Sequence, residues 1–535
     1  MKVHQENTAH ISQKVIQKVG NPVSEMVVLA TLESFGIRNK DVDTDYGFDS
    51  IFDMAMYIFK DLKQKPIAEL RNLNELKPPK KGDKSIPISD YLWIKAKLLV
   101  QYYPLGIFHL FPIVIQIVCI ILFGYSLWTF LGFNVVQSTA VVFGVIFGLI
   151  ISGGYVQVLG RQASFYWHHQ EYQKSKIVVY KLIKSGVKGN VVVFAVLAIV
   201  NFLFNLYPFS FFLITFIYAF LIGLLLLVSA PFHTIKHRWA ISVAISVGTL
   251  LALSLKLCTT LHIFFTHWIG LCVAILISLI FLKLIFKSKI KTAKTVQSNP
   301  KKIMVIYRNY KYFFYGALIY VFVFLDRLLA WSAPFGISHK FIFLYEKDYE
   351  IGMDLAILIF FMLAGVLEYA IAAFSKFLDI KQKNIKFLDA REFNKSLYKM
   401  YWGHIFLLFL TAIGTTTFVY LIVTQPWGYQ ASFGETLNPL SIKVCVLGGI
   451  GYFFLTWGML NALYLFTLNQ PSAPLRALVI ATSINLGIGF ICSRFLSYEY
   501  SVIGMLVGAF VFMVLTIKTI HVFFKKLDYY YYAAY

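Results

Sequence analysis

Twelve apolar segments, each long enough to cross a lipid bilayer, constrain the fold of this chain more than any other feature. A spanning helix needs roughly 20 apolar residues, because the hydrocarbon core of a bilayer is about 30 Å thick. Backbone polar groups inside lipid must bond within a helix or a closed barrel, so apolar segments of this length predict helices. The sequence therefore predicts an all-α fold, a polytopic membrane bundle of about 12 transmembrane helices. The segments run over residues 105–131, 137–160, 187–207, 209–232, 239–258, 261–286, 310–333, 351–375, 400–424, 442–467, 474–493 and 499–524.

The composition supports a membrane protein and argues against a nucleic-acid-binding protein. Of the 535 residues, 58% are hydrophobic and only 14% are charged, whereas soluble domains carry roughly 25% charged residues. The net charge is +23, but the Lys and Arg residues lie in loops between apolar segments, where the positive-inside rule places them. The five cysteines form no CxxC pair, so no disulfide framework and no zinc site is expected. The sequence predicts no metal, no cofactor and no nucleic-acid partner.

The loop charges predict the topology. Lys and Arg are concentrated after even-numbered segments, as in 161–188, 283–311 and 376–399, which predicts that both termini face the cytoplasm. The basic, aromatic stretches 161–186 and 376–399 follow the second and the eighth segments. Their equivalent positions indicate two six-helix halves, an arrangement common in transporters.

This pattern divides the chain into six predicted parts. They are a soluble helical N-terminal extension and linker (1–86), an interfacial amphipathic helix (87–103), a first transmembrane half (104–286), a basic cytoplasmic linker (287–309), a second transmembrane half (310–526) and an aromatic C-terminal tail (527–535). The extension is polar and separately patterned, so we expect it to pack little against the membrane part. It contains no basic-then-apolar leader, and a cleaved signal peptide is therefore not expected.

Four ionisable residues inside the seventh and eighth segments are candidate substrate-path residues: Asp326, Arg327, Asp354 and Glu368. A charge at bilayer depth costs ~2.5–3.5 kcal/mol and usually faces a bundle interior or an aqueous path. Asp326 and Arg327 are adjacent and point about 100° apart, so each needs a partner on another helix. Asp354 and Glu368 are nearly four helical turns apart, which predicts that they share one side of their helix.

Each of these residues also has a purely structural interpretation. Asp354 is then merely solvated at the outer interface, and Glu368 pairs with a lysine such as Lys376 near the inner surface. Asp326 and Arg327 then form structural bridges between helices. The chain contains no phosphate-binding GxxxxGK[ST] motif, no nucleophile elbow and no HExxH motif, so no catalytic residue and no enzyme activity are predicted.

Five stretches carry a resemblance to a known family. Two of them are the Phe/Tyr-rich connector from Phe374 through Tyr398 and the tail Leu527-Asp-Tyr, and the other three are helix motifs. The helix motifs are Ile151-Ser-Gly-Gly-Tyr-Val-Gln-Val-Leu-Gly-Arg-Gln-Ala-Ser-Phe-Tyr, Tyr320-Val-Phe-Val-Phe-Leu-Asp-Arg-Leu-Leu-Ala-Trp, and Tyr349-Glu-Ile-Gly-Met-Asp-Leu-Ala-Ile-Leu. In chain order, the five stretches resemble motifs of the PelG-type exopolysaccharide transporter family, over about residues 90–532. The chain departs from the pattern at Arg327, where the motif has lysine, and at Phe108-His-Leu-Phe-Pro, where it has SSGP.

The resemblance implies a flippase-like fold of the multidrug/oligosaccharidyl-lipid/polysaccharide superfamily. It further implies translocation of a Pel-like exopolysaccharide across a bacterial inner (plasma) membrane. The implied partners are the polysaccharide, a cytoplasmic glycosyltransferase, other membrane subunits of a synthase complex and the lipid bilayer. Two alternatives stay open: a flippase for a lipid-linked oligosaccharide, and a non-transporting membrane scaffold for a polysaccharide synthase. A hydrated cavity lined by Asp326, Asp354 and Glu368 favours transport, and a dry, densely packed bundle favours the scaffold.

Overall fold

The computed structural model describes residues 2–19, 22, 24–64, 96–104, 111–235, 237–290, 302–333, 341–384 and 390–534. Within these ranges the regular structure is helical, and eleven helices are long and apolar enough to cross a membrane. The predicted fold class, a polytopic all-α membrane bundle, is confirmed. The membrane part comprises α5 (Phe111–Phe123), α6 (Val135–His168), α7 (Tyr172–Phe204), α8 (Phe209–Ile235), α9 (Trp239–Cys258), α10 (Ile263–Ile290), α11 (Lys302–Trp331), α12 (Lys347–Asn384), α13 (Ala390–Thr424), α14 (Pro439–Thr467), α15 (Ser472–Phe495) and α16 (Ser501–Lys525).

The helix of the first apolar segment ends earlier than predicted. Instead of a helix over 105–131, α5 has 13 residues and ends at Phe123; residues 105–110 lie outside the described part of the chain. Gly124 follows with a φ of +59°, a left-handed conformation that glycine adopts without a steric penalty. The chain then turns back into the bundle, where Gln116 accepts a hydrogen bond from the Leu127 N–H (2.8 Å) and donates one to Thr249 (2.7 Å). Within the described residues, the helix of the first predicted span therefore ends at Phe123 and a packed turn follows.

Two pairs of long helices extend beyond the apolar segments at the same end of the bundle. The stretch 161–186 forms the end of α6 and the start of α7, and 376–399 contains the end of α12 and the start of α13. These four helices have 34, 33, 38 and 35 residues. We call this end, which carries the Lys- and Arg-rich connections, the basic end, and we call the other the opposite end.

The apolar core of the membrane part consists of three clusters. One lies within the first half and contains Tyr218 and Phe286, and another lies within the second half and contains Phe374 and Tyr464. The third joins α6 and α8 to α11, α12 and α14–α16. The two halves therefore share a buried apolar interface.

Helices α6 and α11 approach most closely at two glycines. A Cβ atom on Gly153 would lie 2.5 Å from the carbonyl oxygen of Gly316, and one on Gly316 would lie 2.6 Å from that of Gly153. Both distances are too short for a side chain. Small residues allow this kind of close backbone packing between membrane helices, so the glycine pair sets the spacing of the two halves.

The N-terminal extension forms four helices with their own core. They are α1 (Lys2–Val19), α2 (Glu25–Ser34), α3 (Asn39–Tyr46) and α4 (Ile51–Gln64). Val15, Val28, Leu32, Met54 and Ile58 are buried between them. We call this unit the N-terminal domain.

The N-terminal domain docks on the C-terminal tail of the chain. The expectation that it packs little against the membrane part stays a prediction. Its helix α2 packs on α17 (Leu527–Ala534), the helix formed by the predicted aromatic tail. Ser24 donates a hydrogen bond to Asp528, and the Tyr529 hydroxyl donates one to Glu33 at 3.1 Å. Within the predicted interfacial helix, residues 96–104 are described and helical, and Leu98 packs into the core of the second half.

Candidate functional site

Helices α11 and α12 bring three of the four candidate residues together at the opposite end. The Arg327 guanidinium of α11 forms ion pairs with Glu350 and, at 2.9 Å, with Asp354, both on α12. Arg327 and Glu350 are buried, whereas the Asp354 side chain is 66% exposed. The two carboxylates lie one helical turn apart, and residues at this spacing share a helix face. We call Asp326, Arg327, Glu350 and Asp354 the ionic cluster.

Asp326 is fully buried and bonds to a different neighbour. Its Oδ2 accepts a hydrogen bond from the Tyr349 hydroxyl at 2.7 Å, while Oδ1 has no hydrogen-bond partner among the described residues. Asp326 and Arg327 do not pair with each other; both find their partners on α12. The prediction that each needs a partner on another helix is confirmed.

The ionic cluster reaches the interface between the halves through Trp331. The Trp331 indole donates a hydrogen bond to Glu350 at 2.9 Å, and its ring lies edge-on to Phe143 of α6, with centroids 5.5 Å apart. Beside it, the backbone N–H of Tyr345 donates to the Thr139 hydroxyl of α6 at 3.0 Å. The cluster contains three carboxyl groups and one guanidinium, so acidic side chains outnumber basic ones.

Glu368 lies apart from the ionic cluster. It is fourteen residues beyond Asp354, about 21 Å along a helix that rises about 1.5 Å per residue. Its carboxylate accepts hydrogen bonds from Nη2 of Arg238, in the first half, at 3.0 and 3.1 Å. The structural interpretation assigned it a lysine such as Lys376; the structure gives it an arginine of the other half instead.

Both ends of the interface between the halves are bridged. At the basic end, Arg161 donates to Tyr312 at 2.7 Å and to Asn469 at 2.5 Å, in addition to the Arg238–Glu368 pair. At the opposite end, the Tyr207 hydroxyl donates to the Phe343 carbonyl at 3.1 Å and accepts from its N–H at 3.0 Å. The structure thus does not bring Asp326, Asp354 and Glu368 onto one open cavity.

Lys256 lies at the end of α9, near the turn that follows α5. Lys256 donates to the Phe123 carbonyl at 3.0 Å and lies over the rings of Tyr125 and Phe130, with its ammonium 4.9 and 4.8 Å from their centroids. Within the described ranges, His, Cys, Asp and Glu side chains form no group of three or more suited to a metal ion. Glu350 and Arg238 were missed as site residues, because both lie beside loops where a charge is ordinary.

The fold is similar to that of solved MATE transporters. A MATE protein crystallised in complex with MaD5 matches with a TM-score of 0.57 and 11% identity, over 81% of this chain and 97% of that one. An outward-facing multidrug resistance MATE family transporter of the MOP superfamily gives 0.55 and 12%, over 81% and 96%. The MATE transporter ClbM in complex with Rb+ gives 0.51 and 12%, over 79% and 94%. No protein-family model and no curated protein matches the sequence.

The chain is therefore a multi-pass membrane protein with the fold of MATE transporters of the MOP superfamily. This finding confirms the fold that the sequence resemblance implied. Membership of the superfamily, and of the PelG-type family within it, stays a prediction.

Proposed function

We propose that this protein is an inner-membrane transporter that translocates a Pel-like exopolysaccharide together with a cytoplasmic glycosyltransferase and other membrane subunits of a synthase complex. The observation that carries the proposal is the ionic cluster, in which acidic side chains outnumber basic ones and which is linked to α6 of the other half through Trp331. A charged side chain inside the membrane costs free energy. Charged residues in membrane helices therefore commonly mark a substrate or ion pathway.

The charge of the cluster fits the proposed substrate. The resemblance implies a partly deacetylated amino-sugar polymer, which carries positive charge. Carboxylates attract such a polymer, and the attraction grows as the local dielectric constant falls. Asp354 is the carboxylate best placed to meet it, because most of its side chain is exposed while Arg327 and Glu350 are buried behind it.

Contacts at the two ends of the interface support alternating opening of the halves. The Arg238–Glu368 pair joins the two halves at the basic end, with the Arg238 side chain 13% and the Glu368 side chain 34% exposed. Opening of the basic end then requires the loss of the Arg238–Glu368 pair, and opening of the opposite end requires the loss of the Tyr207–Phe343 hydrogen bonds.

The chemical form of the sugar that accumulates without the transporter tests this proposal. Cells that lack the protein are pulsed with radiolabelled amino sugar, and the label is separated into free polymer, lipid-linked oligosaccharide and exported material. A polymer transporter predicts loss of exported label and its retention as lipid-free polymer at the inner face. Accumulation of lipid-linked oligosaccharide supports the flippase alternative. If Glu368→Gln and Asp354→Asn proteins restore export fully, the result supports the alternative of a non-transporting scaffold.

A further inference from the structure

A cavity of about 700 Å³ lies at the basic end, between the N-terminal domain and the second half. Its first wall is the first turn of α2 (Ser24, Glu25 and Met26) with Phe59 of α4. Its second wall is built from α13, the end of α16 and the start of α17. Small-molecule sites in proteins commonly have volumes of about 300–1,000 Å³, so the cavity has the size of a ligand site.

Four cationic side chains line this cavity. Arg391 and Lys395 lie one turn apart on α13, and Lys525 and Lys526 follow each other at the end of α16. Within the described part of the chain, none of the four forms an ion pair. The positive-inside rule accounts for cations at this end, but not for their convergence from two helices on one cavity.

The carboxylates of the cavity do not neutralise these cations. Asp528 is buried and accepts hydrogen bonds from Ser24 and, at 3.0 Å, from Asn394. Glu25 is the other acidic residue in the lining. Two carboxylates against four cations leave a net positive charge, which favours an anionic ligand.

Aromatic side chains give the cavity an apolar wall. Tyr398 and Phe524 lie with their ring centroids 5.4 Å apart, and the Tyr398 hydroxyl is 3.2 Å from Nδ1 of His521. Aromatic faces bury a large apolar area and also pack against planar rings. The cavity thus combines cations with an apolar surface.

We propose that this cavity binds a phosphate-bearing organic anion. Phosphate oxygens accept several charge-assisted hydrogen bonds at once, and Arg and Lys are the side chains that bind them. The phosphate belongs either to the headgroup of an anionic lipid or to a soluble nucleoside diphosphate. The ligand contacts the N-terminal domain and the membrane part together, so its binding strengthens their docking. The proposal is independent of the transported substrate.

Binding of ADP and inorganic pyrophosphate to the full chain tests the soluble source. The protein is placed in nanodiscs of phosphatidylcholine alone and titrated in a calorimeter. Lys395→Gln/Lys525→Gln is expected to weaken binding of both probes at least tenfold, because it removes two charged groups that donate hydrogen bonds to phosphate oxygens. Lys181→Gln/Lys184→Gln removes the same charge from exposed sites on α7 and should leave the affinity unchanged.

Retention of phosphatidylglycerol tests the lipid source. Native mass spectrometry counts the phosphatidylglycerol molecules kept by each protein after extraction from membranes that contain this lipid. If neither ADP nor pyrophosphate binds, but the wild type keeps a lipid that Lys395→Gln/Lys525→Gln loses, the phosphate comes from the headgroup. The proposal is overturned if the wild type and this double variant behave alike with all three probes. Thermal unfolding checks that the double variant is folded, and Arg391→Gln replaces it if it is not.

Discussion

Nη2 of Arg238 in the first half donates hydrogen bonds to both carboxylate oxygens of Glu368 in the second half, at 3.0 and 3.1 Å. The two residues are 130 positions apart in the chain and meet only because the halves pack together. Their contact closes the basic end, while Tyr207 and Phe343 close the opposite end. The structure therefore holds the two halves in contact at both ends of their interface.

Glu350 and Asp354 should differ strongly in their effect on stability, although both pair with Arg327. Glu350→Gln removes the negative charge that pairs with the buried Arg327 guanidinium. Removing one member of a buried ion pair costs about 3–5 kcal/mol. Asp354→Asn changes a side chain that is 66% exposed, where an ion pair contributes roughly 0–1 kcal/mol. Thermal unfolding of the purified variants should show a large fall in Tm for Glu350→Gln and a small one for Asp354→Asn. Equal falls in Tm would contradict the expectation that the buried Glu350 contributes more to stability than the exposed Asp354.

Cysteine labelling tests the orientation of the bundle. The sequence suggests Ser338 in an outer loop and Ser298 in an inner loop as labelling positions, but both lie outside the described residues. We therefore choose one exposed residue at each end of the bundle, Thr260 and Ser288. In a background without the five native cysteines, Thr260→Cys at the opposite end should react with an impermeant maleimide added outside the cell. Ser288→Cys at the basic end should react only after the membrane is opened. The reverse pattern would overturn the predicted cytoplasmic termini.

Deletion of residues 1–86 should leave membrane insertion intact and abolish partner binding. The N-terminal domain has its own core, so its loss does not empty the core of either half. It does remove the α2–α17 contact, in which Ser24 bonds to Asp528. We expect the truncated chain to label with the wild-type topology and to lose co-purification with the glycosyltransferase. A misinserted truncated chain would show that the domain is needed for assembly instead.

Sequence patterns were sufficient for the class of fold and for part of the site. Long apolar segments predict membrane helices because lipid leaves the backbone few alternatives. Asp326, Arg327 and Asp354 stood out because charge inside an apolar segment is expensive. The predicted end of the first helix was wrong, because apolar composition does not reveal that Gly124 ends the helix in a left-handed turn. Apolar residues also fill packed turns.

The partners of these charged residues depend on tertiary packing and could not be predicted from the sequence. Glu350 looked like part of a charged loop, although its spacing of four residues from Asp354 was a usable signal, since two carboxylates on one helix face require a cation. Arg238 follows α8 among basic loop residues, where a charge needs no explanation. Only the meeting of the halves pairs it with Glu368.

The central claim is that acidic residues of the second half act on a passing polymer. Glu368→Gln and Asp354→Asn keep the side-chain volume but remove negative charge, at the contact between the halves and at the exposed edge of the ionic cluster. Glu435→Gln is the matched control, because Glu435 is 63% exposed near the opposite end and only 3.8 Å from an exposed lysine, Lys347. Each variant is expected to accumulate to nearly wild-type amounts of folded protein.

Exported polymer per folded transporter, measured in cells that carry each variant, tests this claim most directly. The account predicts that Glu368→Gln and Asp354→Asn lower this ratio, because they remove a contact between the halves and an attraction for a cationic polymer. It predicts no change for Glu435→Gln. Wild-type export by both Glu368→Gln and Asp354→Asn would contradict the account and place these carboxylates outside the transport path.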